Sequence, residues 1–249
     1  MNTITFMGVK IHPLTMTKTL ESIDFIINCG KFWKHSVINV SKIVNMKKNR
    51  TFFNDVNNAD LINADGMGIV WGARFLGLNI PERVTGIDLF INLLKLSEIR
   101  GYKVYFLGAR QELLEKMIQN IKKKYPRLII SGYNNGYFNV SEEKKISLQI
   151  KKTGAQILFV GISSPKKEHF INSQFNNTDV SFAMGVGGSF DILAGLTKRA
   201  PLFIQKSGFE WLYRLSQEPK RMFKRYLITN CLFLFMLIKE FIKLKINQQ

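Results

Sequence analysis

The sequence predicts an α/β fold of Rossmann-like parallel βαβ units followed by a helical, basic C-terminal appendage. Three observations carry that prediction. Between residues 102 and 193, short β-rich apolar runs alternate with amphipathic helical stretches, the pattern of parallel βαβ units. Several of those runs end at glycine, where such sheets hold ligands at the carboxyl ends of their strands. The charge is also uneven: the total is +18, of which +8 lies in the 52 residues from Lys198 onward and +10 in the 197 before them. A chain of 249 residues that is 46% hydrophobic can build one large core with an appendage. The division falls at 1–195 for the α/β domain and 196–249 for the appendage.

The elements follow in order. Residues 2–12 alternate polar and apolar positions and read as a short hairpin or strand. Between Leu14 and Cys29, apolar residues at Leu20, Ile23, Ile26 and Ile27 fall on one helix face. Ser36 to Val40 reads as a buried strand. Asp60 to Ala64 leads into the turn Asp65-Gly66-Met67-Gly68, and Ile69 to Leu76 resumes as a helix. Strands are then expected at Tyr102–Leu107, Arg127–Tyr133, Gln156–Val160 and Val180–Met184. Helices are expected at Glu112–Tyr125, Glu142–Thr153 and Ser189–Leu193. Gly108, Gly161 and Gly187 stand at strand ends. A new helix is expected to begin at Pro219, which suits a first turn. From Tyr226 to Ile246 the chain is apolar with scattered lysines. Its longest unbroken apolar stretch, Cys231 to Ile238, is far short of the roughly 20 residues of a membrane span. Lys239, Lys243 and Lys245 would border a helix lying on a surface; a helix packed on the core is the alternative.

Composition narrows the chemistry. Part of the positive charge reflects a general richness in Lys, Asn and Ile, and the remainder suits nucleic acid, anionic lipid or a phosphorylated substrate. No nucleic-acid-binding signature such as an RRM or helix-turn-helix is present, so no nucleic-acid partner is expected. Cys29 and Cys231 form neither a metal spacing nor a disulfide framework, which suits a reducing compartment. Met1 to Leu14 lacks the features of a secretory signal. P-loop, GxSxG, HExxH and D-x-D metal motifs are all missing, so neither a metal nor a cofactor is expected. A diphosphate could then be held by Gly185-Val186-Gly187-Gly188, whose backbone N–H groups precede a helix; tight strand-to-helix packing is the alternative for these glycines. Asp65 is the carboxylate best placed for chemistry. On its glycine-flanked turn it can serve as a general base, given surroundings that raise its pKa, or as a helix N-cap.

Five blocks, in this order, resemble the WecG/TagA/CpsF glycosyltransferases (glycosyltransferase family 26, N-acetylmannosaminyltransferase-like). They are Asn63-Ala-Asp-Gly-Met-Gly68; Pro81-Glu-Arg-Val-Thr-Gly-Ile-Asp88; Val160-Gly-Ile-Ser-Ser-Pro-Lys-Lys-Glu168; Gly185-Val-Gly-Gly-Ser-Phe-Asp-Ile-Leu-Ala-Gly195 with Arg199-Ala-Pro201; and Gly208-Phe-Glu-Trp-Leu-Tyr-Arg-Leu215 running to Glu218-Pro-Lys-Arg221. The resemblance covers about residues 8–226. It implies a metal-independent, inverting transferase moving a sugar from a UDP donor to an undecaprenyl-diphosphate-linked acceptor, commonly one bearing N-acetylglucosamine. The setting would be cell-surface polysaccharide, capsule or teichoic-acid synthesis.

The resemblance makes Asp65 the catalytic base of the 1–195 domain. It places Asn39, Arg83, Asp88, Gly108, Lys166, Lys167, Glu168, Gly187, Gly188 and Asp191 around the substrates. Arg214, Arg221 and Arg225 would come from a membrane-facing appendage that closes over the site and meets the diphosphates of acceptor or donor. For Arg83, a structural bridge to Glu82 or Asp88 is the alternative. The protein is expected in the cytoplasm, peripheral on an anionic membrane surface; a homo-oligomer is left open. Two departures stand out. Val37-Ile38-Asn39 replaces the family's Thr-x-Asn, and Lys167 replaces its Gln. Lysine can meet phosphate with charge but cannot reproduce an amide's donor–acceptor pair.

Overall fold

The computed structural model describes residues 2–246, the side chains of Lys206 and Arg221 excepted. The chain opens with a hairpin of β1 (Ile4–Phe6) and β2 (Val9–Ile11). Its two-residue turn, Met7-Gly8, has φ of 51° and 83°. That left-handed pair matches the twist of the flanking strands, and glycine at the second position lowers its strain. The elements after it are α1 (Met16–Asn28), β3 (Trp33–Ile38), α2 (Val40–Lys48), α3 (Arg50–Asn57), β4 (Leu61–Ala64), α4 (Met67–Phe75) and α5 (Gly86–Arg100). Next come β5 (Val104–Gly108), α6 (Gln111–Lys124), β6 (Ile130–Asn134), α7 (Glu143–Lys152), β7 (Ile157–Gly161), α8 (Lys166–Thr178), β8 (Phe182–Gly185) and α9 (Ser189–Leu193). Three helices finish the chain: α10 (Leu202–Ser207), α11 (Glu210–Gln217) and α12 (Pro219–Ile246).

β3 to β8 form one sheet in the order β4-β3-β8-β7-β5-β6, with every neighbouring pair parallel. The predicted α/β class is therefore the observed one. Helices cover both faces, which explains why β4 and β5 are buried at every position and read as apolar runs. On one face Phe106 of β5 and Phe159 of β7 meet Phe90 of α5 and Phe190 of α9, in a cluster that α1 and α6 complete. The opposite face buries Ile38 and Ile62 beneath the hairpin and α2 to α4, with a further cluster under α7 and α8.

The four strands expected between residues 102 and 184 are all present. Asp60–Ala64, read only as a lead-in to a turn, contains the edge strand β4. The helices α2, α3, α5 and α8 were not anticipated. Segments such as Lys166–Thr178 are dense in Asn, Lys and Ser, which weakens the apolar stripe without abolishing it: Phe170, Ile171 and Phe175 still face inward.

α12 begins at Pro219, as expected. It lies along α2 and sends Phe233 and Leu237 into the core. Gly72 of α4 makes room for them, since a Cβ there would stand 3.1 Å from the Phe233 ring and 3.2 Å from Phe6. Its other side leaves Phe223, Leu227, Phe235, Ile238 and Ile242 exposed. One helix thus has a core-packed face and a bare apolar face. Among the described residues, no helix is long and apolar enough to cross a membrane.

Candidate active site

β4, β3 and β8 are neighbours, so their carboxyl ends share one rim of the sheet. Asp65 follows β4, Asn39 follows β3, and the turn 185–188 follows β8. Adjacent strands run about 4.8 Å apart, so the ends of β4 and β8 stand roughly 10 Å apart.

Asp65 donates its backbone N–H to the Ile38 carbonyl at 2.7 Å, which anchors the turn to the end of β3. The N-cap of α4 is Gly66, at φ 119°, and no side chain caps that helix. The Asp65 carboxylate is therefore not a helix cap. Burial pushes its pKa up to about 6; Glu210 adds to the rise, while Arg83, Lys42 and Arg214 work against it. A carboxylate with that value is ionised near neutrality yet basic enough to accept a proton.

The second half of the rim is a cationic cradle. Lys167 lays its aliphatic stem across Gly185, where a Cβ would stand 2.6 Å from Lys167 Cδ, and its Nζ lies 3.8 Å from the corresponding point at Gly187. Arg214, on α11, brings Nη2 to 3.2 Å from the Cβ point of Gly188, with Asp191 Oδ2 at 3.5 Å. Gly187 has φ 52° and turns the backbone there at no steric cost. The expected helix start is short, since α9 has only five residues. The positive charge in this cradle comes from Lys167 and Arg214, and the carboxylates of Glu168, 3.3 Å from Lys167, and Asp191 offset part of it.

The remaining candidates fall into distinct environments. Asn39 caps α2, its Oδ1 accepting from the Lys42 N–H at 3.0 Å, and its Cβ lies 4.0 Å from the Cβ point of Gly66, beside Asp65. Arg83 bridges to neither Glu82 nor Asp88; it donates to Glu210 at 3.2 Å and to the Gln205 carbonyl at 3.2 Å. Asp88 receives both Arg199 nitrogens, at 2.6 and 2.7 Å, and the Thr85 hydroxyl at 2.5 Å. Burial works against the Asp88 charge, but these bonds outweigh it and hold its carboxyl below the usual range. Lys166 donates to the Phe138 carbonyl at 2.5 Å and lies over that residue's ring. Gly108 serves close packing: a Cβ there would overlap the Gly161 backbone at 2.5 Å. Arg225 donates to Ser41 Oγ at 3.3 Å. Arg221 lies on α12, its side chain outside the described residues.

Glu168 is 5% exposed and sits between two lysines, Lys42 at 2.8 Å and Lys167 at 3.3 Å, with the Ser164 hydroxyl at 2.9 Å. Burial opposes its ionisation, yet the two ammonium groups dominate and draw its pKa down to about 2. Lys42 also donates to Ser36 Oγ at 3.0 Å. The sequence reading did not single out Lys42, Arg199 or Glu210. Arg199 and Glu210 stand inside blocks that carried the resemblance; Lys42 had no sequence signal beyond a lysine on a polar segment. His12 and His35 are buried structural groups, bonded to the Ile62 N–H and to Asn63 respectively. Among the described residues, no three of His, Cys, Asp and Glu converge as metal ligands.

A partly buried carboxylate beside a glycine-lined cationic cradle, at the carboxyl ends of a parallel sheet, is the layout of an α/β group-transfer enzyme. A model of the glycosyl transferase WecG/TagA/CpsF family matches residues 4–247. The chain belongs to that family. It is 31% identical over 220 residues to the N-acetylglucosaminyldiphosphoundecaprenol N-acetyl-beta-D-mannosaminyltransferase of Staphylococcus aureus (strain MW2), covering 88% of this chain and 86% of that one. It is also similar to proteins of the same name from Bacillus subtilis (strain 168), 31% identical over 70% of this chain and 67% of the relative, and from Bacillus spizizenii, 33% identical over 67% of this chain and 64% of the relative.

Proposed function

We propose that this protein transfers N-acetylmannosamine, or a closely related sugar, from a UDP donor to an N-acetylglucosaminyl-diphosphoundecaprenol acceptor, with inversion and without a metal. The observation that carries the reading is the placement of Asp65 across β3 from the Lys167–Gly188–Arg214 cradle. Asp65 takes the proton of the acceptor hydroxyl as its oxygen attacks the anomeric carbon. The bond from that carbon to the UDP oxygen breaks on the opposite face, and UDP leaves with the electron pair. Lys167, Arg214 and the backbone of Gly187 and Gly188 meet the diphosphate and its growing charge, which gives the cradle a metal's electrostatic task. Asn39 offers its amide to the acceptor beside Asp65. Lys167, in place of the family's usual Gln, favours phosphate over base or ribose contact.

The names of the relatives, which state a transferred N-acetylmannosaminyl group and an N-acetylglucosaminyl-diphosphoundecaprenol acceptor, support the sugar and acceptor assignments. The bare face of α12, with its lysines, supports attachment to the inner surface of the membrane where a lipid acceptor resides. The test is UDP release by the purified chain with UDP-N-acetylmannosamine and a water-soluble or short-chain N-acetylglucosaminyl diphospholipid. Acceptor-dependent release that persists in excess EDTA is the expected result. Loss of turnover in EDTA, restored by magnesium or manganese, rejects the metal-free step; no transfer with any UDP-sugar rejects the reading as a whole.

A further inference from the structure

Four side chains of alternating charge run from the rim of the sheet into the terminal helices. Arg83 meets Glu210 Oε2 at 3.2 Å, Glu210 Oε1 meets Arg199 Nε at 3.5 Å, and Arg199 grips Asp88 through two bonds of 2.6 and 2.7 Å. Arg83 and Asp88 belong to the segment before and at the start of α5, whereas Glu210 opens α11. Arg83 also holds the Gln205 carbonyl of α10 at 3.2 Å. The bend between α10 and α11 is seated on the turn that carries Asp65. Gly208, at φ 84°, lies so close that a Cβ would stand 2.7 Å from Met67 Cγ and 3.2 Å from Trp71. Apart from Gly208, α10 and α11 contribute little to the core. Leu202, Phe203, Phe209 and Leu212 are exposed, and α11 has no buried residue. With so little apolar burial, the position of these helices depends on the polar chain, on the Gly208 seat and on the edge-on contact of Trp211 with Tyr226 of α12.

We infer that Glu210 is a positioning residue for glycosyl transfer: by bridging Arg83 and Arg199 it latches α10 and α11 over Asp65 and sets Arg214, one turn further along α11, against Gly188. The inference rests on the assignment of Asp65 as base and goes beyond it, since Glu210 touches no reacting atom. It also gives Arg83 a task different from phosphate binding. Its guanidinium is the post to which the latch is tied. The geometry explains how one carboxylate serves two arginines: each oxygen takes one. Glutamine puts an amide nitrogen, a donor, in place of one of those oxygens and so turns it against one of the two arginines.

The test uses Glu210→Gln and Arg199→Gln in the full chain, read by hydrogen exchange and by the pH profile of kcat/KM. Charged groups around Asp65 are Arg83, Lys42, Arg214 and Glu210. Losing the Glu210 carboxylate and admitting water both favour ionised Asp65; withdrawing Arg214 opposes them, but burial is the largest cause of the raised value, so the acid limb is expected to move to lower pH. Peptides covering 202–217 are expected to exchange several-fold faster in both variants, with β5 and β7 unchanged. Exchange equal to wild type in both variants overturns the latch. Faster exchange with an unmoved acid limb in Glu210→Gln overturns the positioning role and leaves a structural tie. The exchange measurement needs no turnover, so an inactive wild-type protein, or an active Asp65→Asn, defeats the base assignment without deciding the latch.

Discussion

Arg214 lies against Gly188: its Nη2 is 3.2 Å from the point where a Cβ would stand. The backbone at Gly188 is ordinary, with φ −74° and ψ 11°, so alanine fits there without strain. Gly188→Ala therefore isolates crowding of the arginine from any effect on the turn. The expected outcome is a rise in KM for the UDP-sugar of about tenfold, equivalent to about 1.4 kcal/mol, with the melting temperature unchanged. An unaltered KM separates Arg214 from the donor.

Asp65 gives the activity an acid limb. Because burial raises its carboxyl to about 6, kcat/KM is expected to climb as pH rises through that value. Asp65→Asn lowers turnover by roughly 10²- to 10⁴-fold. The same substitution is expected to stabilise the protein at pH 7.5. The folded-state pKa is above the unfolded value, so ionisation of Asp65 opposes folding above about pH 6, and that cost vanishes below the unfolded value of 3.8. The gain is about 1–3 kcal/mol at neutral pH. Thermal unfolding at pH 7.5 and pH 4 checks it, and an equal gain at both excludes Asp65 ionisation as the cause.

Glu168 runs the other way. Its folded pKa of about 2 lies below the ordinary value of 4.5. The stability it contributes is therefore present above 4.5 and lost as pH falls toward 2. Glu168→Gln strands the Lys42 ammonium beside that of Lys167 and is expected to cost about 3–5 kcal/mol at pH 7. Denaturant unfolding measures the loss. Adding Lys42→Met to Glu168→Gln recovers part of it; an unimproved double variant shows that the lysine is not what suffers.

The sheet was legible because burial on both faces writes strands as short apolar runs ending in glycine, as at Val104–Gly108 and Phe182–Gly185. Helices α2, α3 and α8 escaped notice because their inward residues are diluted among Asn and Lys. Asp65 was legible as a carboxylate on a glycine turn, but chemistry alone left it between base and cap until the structure placed Gly66 at the cap. Arg83 and Asp88 were legible only as charged members of blocks. Their partners, Glu210 and Arg199, stand more than 100 residues away, and no local spacing connects them. Buried Lys42 and Glu168, with the part-buried Lys167 beside them, join α2 to α8, a contact made by the topology.

The two faces of α12 make separable predictions. Phe233 and Leu237 are 7% and 8% exposed and fill the core beside Gly72. Removing the chain after Tyr226 therefore opens the core as well as stripping the surface, and truncation is a poor test of membrane contact. Phe233→Ala is expected to cost about 3–5 kcal/mol with vesicle binding little changed at temperatures where the protein stays folded. Phe235, Ile238 and Ile242, at 68%, 46% and 51% exposure, touch the core little. Changing those three to Ser is expected to leave the melting temperature within a few degrees and to weaken binding to phosphatidylglycerol-containing vesicles. Lys239→Glu with Lys243→Glu should weaken it as well, since each basic residue near an anionic surface contributes about 1 kcal/mol. That second effect should shrink in high salt, where surface charges are screened. Activity on a water-soluble diphosphate acceptor is expected to survive both surface changes. If wild-type protein never sediments with anionic vesicles, the bare face of α12 serves something other than a membrane.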